Sequence, residues 1–344
     1  MNSLFTARLA NFAHSYFIFL FGWAILRAFF GDRWAFLFLL NSFAPYLFAP
    51  LPIVSTIALG ARRRDVWLGS ALSAALAVFL YGELFLPKSK NSGEPALTVM
   101  TYNILGLNED TAAIIGAMRA ANADVIAIQE LNPSAARAFA EILRDEYPYQ
   151  ILDPQPGFAG MGMLSRYPMR ATNANLPGKW TGAPIIATIE WRDTNITLVN
   201  VHPAPTIFRA SAYLAESARV EATIRERERA LETLAQFCAA QTAPVILLGD
   251  FNTAEQSAAY RILARDLTDA WRAAGWGLGH TFPLPDHAGN TRWHFAGITL
   301  PTRMMRIDFI FHSRDWQTLS AQIGPLDGKS DHHSVVAQLI LTRK

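Results

Sequence analysis

Polar side chains recur in this sequence where apolar runs end. Glu130 follows the run 125–129, and Asp250 follows the run 245–249. Carboxylates and carboxamides bind hard cations and imidazoles donate charged hydrogen bonds, so a converged set could act on an anionic substrate. Strand ends at one edge of a core are where sites are assembled from distant sequence. The candidate site residues are Asn103, Glu130, His202, Asp250, Asn252, Asp308, Asp331 and His332.

Each of these residues also has a purely structural interpretation. Asn and Asp at the end of a strand are usually turn formers, and a single His usually satisfies hydrogen bonds. Asp308 is the exception, because it lies within the apolar run 306–311 and a buried acid needs a partner. The case for a site therefore rests on the whole set rather than on one member.

Alternating β-branched runs and helical patterns predict the elements that would position these residues. Asn132 before Pro133 predicts a capped helix start. Many strands with few helices favour sheets packed on each other and covered by helices. The predicted strands are 96–105, 124–129, 160–165, 184–191, 195–202, 244–250, 306–311, 317–323 and 334–341, and the predicted helices are 110–121, 132–146 and 211–241.

Residues 1–86 differ in composition from the rest of the chain. Apolar residues make up 51% of the sequence and charged residues 17%, and these values favour membrane content because soluble domains average roughly 25% charged. The second apolar stretch contains three prolines, so we expect it to be kinked or broken. A signal peptide would be shorter and would end at a cleavage site. The stretches that predict membrane-spanning helices are 12–30, 34–59 and 66–86.

Cations in the short loops predict the orientation of these spans. Three arginines at 62–64 lie between the second and third spans, and cytoplasmic loops carry an excess of Lys and Arg. The chain after Pro87 is then expected outside an inner (plasma) membrane, in the periplasm. Lys88 and Lys90 oppose this orientation weakly.

Composition and local sequence also divide the chain and exclude some kinds of site. The net charge of +2 gives no whole-chain signal for nucleic acid. The single cysteine, Cys238, excludes an internal disulfide and a cysteine-based metal cluster. Residues 87–95 form a short polar linker. We therefore predict a membrane segment at 1–86, a linker at 87–95 and a globular domain at 96–344.

The strand-end motifs resemble those of the endonuclease/exonuclease/phosphatase superfamily, the deoxyribonuclease I-like enzymes. They occur in the family's order over about residues 96–341, and Gly-Asp-Phe-Asn with Ser-Asp-His is a specific combination. The resemblance implies an α/β (α+β) four-layer sandwich of two mixed sheets with helices outside. The matching motifs are Thr101-Tyr102-Asn103, Gln129-Glu130, Asn200-Val201-His202, Gly249-Asp250-Phe251-Asn252, Asp308 and Ser330-Asp331-His332.

The resemblance also implies a metal site. Glu130 would bind Mg²⁺ or Mn²⁺, with Asn103 and Asp331 close to the metal. A hard cation with a carboxylate, waters and substrate oxygens offsets the charge that develops in phosphoryl transfer. No Gly-rich phosphate loop is present in the sequence.

The remaining residues have implied roles around the phosphate. Asp250 would position or deprotonate the attacking water, and Asn252 would orient that water and bind phosphate with Asn103. His332, held by Asp308, and His202 would hydrogen-bond the phosphate oxygens from two sides. Phosphoryl transfer depends on such in-line positioning and charge cancellation more than on covalent chemistry.

Two departures from the family pattern bear on the substrate. Abasic-site endonucleases of the superfamily carry an acid where this chain has Leu105 and a Tyr where it has His202. Both differences, like an extracytoplasmic location, weigh against abasic-site repair.

Three functions remain to be compared. The leading hypothesis is a membrane-bound, metal-dependent phosphodiesterase or phosphatase acting on a phosphoester such as a lipid headgroup. The second is an extracytoplasmic nuclease on the same scaffold, which a basic groove would favour. The third is a non-catalytic membrane module, which the complete residue set disfavours.

Overall fold

Two mixed six-stranded sheets form the centre of the protein. The computed structural model describes residues 3–61, 63–88, 93–206, 213–284, 294–295, 298–299 and 301–342. The first sheet contains, in spatial order, β13 (Trp316–Ile323), β14 (Val335–Leu341), β1 (Leu97–Asn103), β2 (Val125–Gln129), β4 (Met161–Ser165) and β3 (Tyr149–Asp153). The second contains β5 (Met169–Ala171), β6 (Trp180–Trp191), β7 (Thr194–Pro203), β8 (Val245–Asp250), β12 (Asp308–His312) and β9 (Thr268–Asp269). A separate hairpin pairs β10 (His294–Phe295) with β11 (Ile298–Thr299).

Helices cover the outer faces of both sheets. Thr111–Ala121 (α5) and Pro133–Ile142 (α6) share an apolar cluster with the first sheet, and Tyr213–Ala239 (α7) and Ala258–Ala264 (α8) share one with the second. A short helix, α9 (Ala270–Ala274), follows β9. The predicted arrangement of two mixed sheets flanked by helices is confirmed.

The main core lies between the two sheets. Val99 and Ala127 of the first sheet and Leu198, Leu248 and Ile310 of the second belong to one buried cluster. The central strands β1, β2, β7 and β8 are therefore buried on both faces, which explains their nearly continuous apolar sequences. Because β1 pairs with β2 and β7 with β8 in parallel, their carboxyl ends lie side by side within each sheet.

Several element boundaries differ from the sequence prediction. Helix α6 ends at Ile142 rather than near residue 146, and residues 144–146 form a turn before Tyr147, where Pro148 disfavours helix. Asp308 is the first residue of β12, and not inside the strand as predicted. The last strand begins at Val335, so Asp331 and His332 lie in the loop before it. Several short elements were not predicted, because seven residues or fewer give little periodic pattern; they are β3, β5, β9, β10, β11, α8 and α9.

Four helices precede the sheets. They are α1 (Ser3–Phe30), α2 (Ala35–Ser42), α3 (Leu51–Ala61) and α4 (Arg64–Tyr81), with 3₁₀ turns at Ala44–Phe48 and Gly82–Phe85. Among the described residues, two helices are long and apolar enough to cross a membrane, at Ala7–Phe30 and Arg64–Phe85. The second predicted span is broken: Ala35–Ser42 and Ala44–Ile57 meet at an angle of 75° and count as a third span only if taken as one bent unit.

The N-terminal helices pack directly on the sheet domain. Trp23, Phe48 and Leu84 belong to the same buried cluster as Trp271 of α9 and the strands between the sheets. The backbone N–H of Gly277 donates to the carbonyl of Leu84 at 2.7 Å. The predicted linker contributes residues 87–88 and 93–95 to the described chain.

Candidate active site

Strand pairing gathers the candidate residues at one edge of the sandwich. In the first sheet, Asn103 ends β1 beside Gln129, so Glu130 follows directly. In the second sheet, Asp250 ends β8 opposite Asp308 of β12. All eight predicted site residues lie among the described residues.

Asn103 joins the two sheets at this edge. Its Nδ2 donates to Glu130 Oε1 at 3.0 Å and to Asp250 Oδ2 at 3.0 Å, while its Oδ1 accepts from the backbone N–H of Leu105 at 3.0 Å. His202 Nε2 lies 3.6 Å from Asp250 Oδ2 and 3.9 Å from Glu130 Oε1. Two carboxylates from different sheets therefore face one small space.

A histidine–aspartate pair forms the other side of this space. His332 Nδ1 lies 2.9 Å from Asp308 Oδ2, within hydrogen-bond distance, and this fixes the ring. His332 Nε2 then points toward Asp250 Oδ2 at 3.8 Å and Asp331 Oδ1 at 4.0 Å. The ring of Phe282 packs against His332 with centroids 4.7 Å apart. His332 can therefore donate from Nε2 to a group bound between these carboxylates.

The loop after β8 is folded back on the neighbouring strand. Asn252 has a positive φ of 50°, and its backbone N–H donates to Asp250 Oδ1 at 2.9 Å. Its side-chain Nδ2 donates to the carbonyl of Pro203 at 3.0 Å, next to His202. One hydrogen of the Asn252 amide is thus used to fix the chain that carries His202.

Burial and neighbouring charges set the protonation of the site. Burial raises the pKa of Glu130 to about 7, although hydrogen bonds from Gly106 and Asn103 act in the opposite direction. Burial alone would lower the pKa of His332, but Asp308 and Asp250 outweigh it and raise that pKa well above its usual range. Burial lowers the pKa of His202. These shifts favour the charged form of His332 and the neutral form of His202.

The oxygen-rich side of the site fits a hard divalent cation. Glu130, Asp250 and Asp331 supply carboxylates, and the Asn103 carboxamide lies between the first two. The positive charge of His332 offsets only part of the burial of the Glu130 carboxylate, so a cation bound there would stabilise its charged form. Ligand atoms of Asp250, Asp308 and His332 also lie within 4.8 Å of one another. The Asp308–His332 hydrogen bond already uses two of those groups, whereas the Glu130 carboxylate has no such ionic partner within hydrogen-bond distance among the described contacts and could hold a cation.

Other buried residues support these side chains. Ser330 Oγ donates to the carbonyl of Asn103 at 2.7 Å and accepts from the backbone N–H of His332 at 3.1 Å. Gln129 Nε2 donates to Asn200 Oδ1 at 2.6 Å and so joins the two sheets below the site. All three belong to the matching motifs, but sequence reasoning assigned them no role.

Arg227 of α7 is a supporting residue that sequence reasoning missed. Its Nη1 donates to the carbonyls of Asn252 at 2.7 Å and Ala204 at 3.3 Å, and to Thr206 Oγ1 at 2.9 Å. These bonds hold together the segments that follow His202 and Asp250. A charged residue on a helix is usually solvated, yet Arg227 is 1% exposed. Only its place three residues after Ile224, on the buried face, could have indicated this.

Two exposed apolar side chains border the site. Gly106, whose N–H binds Glu130, lies so close to Gly157 that an added Cβ would meet the Gly157 carbonyl oxygen at 1.9 Å. The following residues, Leu107 and Phe158, are 53% and 49% exposed. The two loops therefore present an apolar rim beside a strongly polar site.

Comparisons with known proteins agree with this arrangement. The model of the Endonuclease/Exonuclease/phosphatase family matches residues 100–332. Comparison with curated proteins found no significant match. Among solved structures, the chain resembles D. rerio TDP2 complexed with single strand DNA product, with 16% identity and a TM-score of 0.53, covering 72% of this chain and 100% of the other.

Two further solved structures have the same fold. One is an endonuclease/exonuclease/phosphatase from Beutenbergia cavernae, with 20% identity, a TM-score of 0.50 and coverage of 72% of each chain. The other is the human Nocturnin catalytic domain with bound sulfate anion, with 17% identity, a TM-score of 0.50 and coverage of 72% of this chain and 96% of the other. At these identities the likeness concerns the fold alone. Because the family model covers most of the chain and its motifs meet at one site, the protein belongs to the endonuclease/exonuclease/phosphatase family, whose members are generally phosphoester hydrolases.

Proposed function

We propose that this protein is a membrane-anchored phosphoester hydrolase that depends on a divalent cation, Mg²⁺ or Mn²⁺. One observation carries the proposal: the Asp250 carboxylate is approached by Asn103, His202 and His332 from three sides, and Asn103 links it to Glu130. Such a space, bounded by a base, a charged donor and a cation ligand, suits a phosphate and a water.

Each side chain of the site has a separate role in the proposed hydrolysis. Asp250, held by the Asn252 backbone N–H and the Asn103 amide, is placed to accept a proton from the attacking water. His332, kept protonated by Asp308, donates a charged hydrogen bond to a phosphate oxygen. His202 binds a second oxygen as a neutral donor. A cation held by Glu130, Asn103 and Asp331 would offset phosphate charge and orient the substrate.

The two long apolar helices support anchoring in a membrane. His14 of α1 lies beside Asp65 at the start of α4, whereas Arg27 near the other end of α1 contacts Gln256 of the sheet domain. The start of α4 is thus at the far end, and we assign that end to the cytoplasm by the arginines of the sequence next to it. The sheet domain is then extracytoplasmic.

A lipid-linked phosphoester is the substrate class that we favour. The apolar rim of Leu107 and Phe158 beside the site suits a substrate that carries an apolar group next to its phosphate. Membrane anchoring would keep the site close to such substrates.

Hydrolysis by the purified full chain tests the proposal. The chain in detergent is assayed with Mg²⁺ against mixed phospholipids, inositol phosphates and single- and double-stranded DNA. We expect hydrolysis of a phospholipid that stops in EDTA and returns with Mg²⁺. Cleavage of DNA alone would replace the substrate class with the nuclease alternative. Failure to hydrolyse any phosphoester, or activity unaffected by EDTA, would contradict the proposed chemistry.

A further inference from the structure

Exposed aromatic side chains cluster where the two long apolar helices meet the sheet domain. The Phe30 ring lies 5.0 Å from Trp34, and Trp34 stacks on Phe36 at 5.8 Å. After α4, Phe85 packs edge to face with Trp276 of the sheet domain at 6.0 Å. Trp276 is 69% exposed, Phe85 50% and Phe36 43%, whereas Trp34 is half-buried. Large exposed rings in each of the two groups indicate a surface with a partner.

Both aromatic groups lie at the same level of the helix bundle. Helices α1 and α4 run in parallel, since His14 Nε2 lies 3.2 Å from Asp65 Oδ2 at one end. Toward the other end, Trp23 of α1 and Tyr81 of α4 both contact Phe48, with ring centroids 6.1 and 6.0 Å from that of Phe48. The aromatic groups begin four to seven residues beyond these two positions. Both aromatic groups therefore lie just beyond the level at which α1 and α4 contact Phe48.

Helix α2, which follows the first aromatic group, packs against α7 of the sheet domain. The backbone N–H of Ala35 donates to Glu221 of α7 at 3.3 Å, and the Arg227 guanidinium lies 5.2 Å from the Phe38 ring. The chain then bends by 75° before it continues into Ala44–Ile57. One face of α2 is thus covered by α7, while Phe36 remains exposed.

We propose that Trp276, Phe85, Phe36 and Trp34 insert into the headgroup layer of a phospholipid bilayer, so that the sheet domain rests on the membrane surface. The proposal rests on the membrane anchoring proposed above. Large amphipathic rings favour this layer. Arg33, whose guanidinium lies 5.8 Å from the Trp34 ring, adds a cation beside the lipid phosphates.

The active site lies close to the same end of α1. Arg27 Nε donates to the carbonyl of Gln256 at 2.9 Å at the domain end of α1. Asn252 is four residues before Gln256, so the Cα atoms of the two residues lie within about 14 Å of each other. The site is therefore on the side of the sheet domain that adjoins the apolar helices.

A fluorescent label at position 276 tests the contact with lipid. Trp276→Cys and the control Ile142→Cys, an exposed apolar position in α6, are labelled on the full chain in phosphatidylcholine vesicles. Cys238 is buried, and the unsubstituted chain measures its background labelling. We expect lipids with a nitroxide near the headgroup to quench the label at 276 several-fold more than the label at 142, and iodide in water to do the reverse.

Other outcomes would overturn the proposal. Equal quenching of both labels by iodide would place position 276 in water. Self-quenching that rises with protein density, without quenching by lipid, would mean that a second copy covers this surface. Flotation of the chain with vesicles in alkaline carbonate tests anchoring separately, so loss of flotation contradicts the anchoring, whereas flotation with a water-exposed label contradicts only the surface contact.

Discussion

At the scale of single residues, the site is governed by buried charges that lack ordinary solvation. Glu130, Asp250 and Asp308 are largely removed from water, and His332 is the charged partner that lies among them. The residue types and their order along the chain were enough to predict the set. Sequence could not show that Asn103 bridges two carboxylates, because that contact depends on how two sheets face each other.

The Asp308–His332 pair predicts a change in the pH dependence of hydrolysis. His332 must be protonated to donate its charged hydrogen bond, so activity falls as pH rises through its raised pKa. Asp308→Asn removes a carboxylate that raises this pKa, and the alkaline limb of kcat/KM should move to lower pH. Rates measured across the pH range for this variant and for Asp145→Asn, an exposed control, check this. An unmoved alkaline limb would show that Asp308 does not act through His332.

We expect the Glu130 carboxylate to destabilise the metal-free chain and to be needed for stabilisation by Mg²⁺. Its pKa rises from 4.5 to about 7 in the fold, so its contribution to stability is fully present below pH 4.5 and is lost as pH rises through 7. Glu130→Gln should therefore stabilise the metal-free chain at pH 8 by up to about 3 kcal/mol. Thermal unfolding in EDTA and in Mg²⁺ measures both effects. If Mg²⁺ raised the unfolding midpoint of the unsubstituted chain and of Glu130→Gln equally, Glu130 would not be a ligand.

At the scale of elements, the parallel pairs β1–β2 and β7–β8 position the site, and their sequences were readable as buried apolar strands. The position of His332 in a loop could not be predicted, because the apolar pattern does not define the residue at which strand pairing begins. Helix α7 has a further role, since Arg227 joins the loops that follow β7 and β8. That role was hidden because a charged residue on a helix is usually solvated.

Loss of the Arg227 donors should lower turnover more than substrate binding. Arg227→Met keeps much of the packing against Phe38 but removes the hydrogen bonds to Asn252 and Ala204. We expect kcat to fall about 10- to 100-fold with a smaller change in KM, because misplacement by about 1 Å can cost about 100-fold in rate. Arg227→Lys should recover part of kcat. Arg219→Met, on the exposed face of the same helix, is the control.

Equal losses in kcat for the Met and Lys variants, with matching losses in unfolding midpoint, would reduce Arg227 to a general stability role. A fall in kcat without a lower midpoint for the Met variant would support positioning of Asn252.

At the scale of the whole molecule, the apolar N-terminal helices and the sheet domain share one core. Composition was enough to predict apolar segments at 12–30 and 66–86, which agree with Ala7–Phe30 and Arg64–Phe85. It could not give the 75° angle of the bend in the middle stretch or the contact of α2 with α7. The prolines gave only the expectation of a break.

Labelling with a membrane-impermeant thiol reagent tests the orientation. Asp145→Cys lies on the exposed surface of the sheet domain, and Arg64→Cys is the exposed first residue of α4, at the end of the helices away from that domain. We expect the first to react in cells whose inner membrane is intact and the second to react only after that membrane is permeabilised. The opposite pattern would invert the orientation while leaving the chemistry of the site untouched.

Turnover of the Asp250→Asn variant with Mg²⁺ and the phospholipid found to be hydrolysed is the most direct test of the site. The change removes the proposed base while keeping its shape, and Asp145→Asn makes the same change on the exposed surface. The account predicts a loss in kcat of about 1,000-fold or more for Asp250→Asn, with the unfolding midpoint preserved and the control unaffected. Near-normal hydrolysis by Asp250→Asn would contradict it.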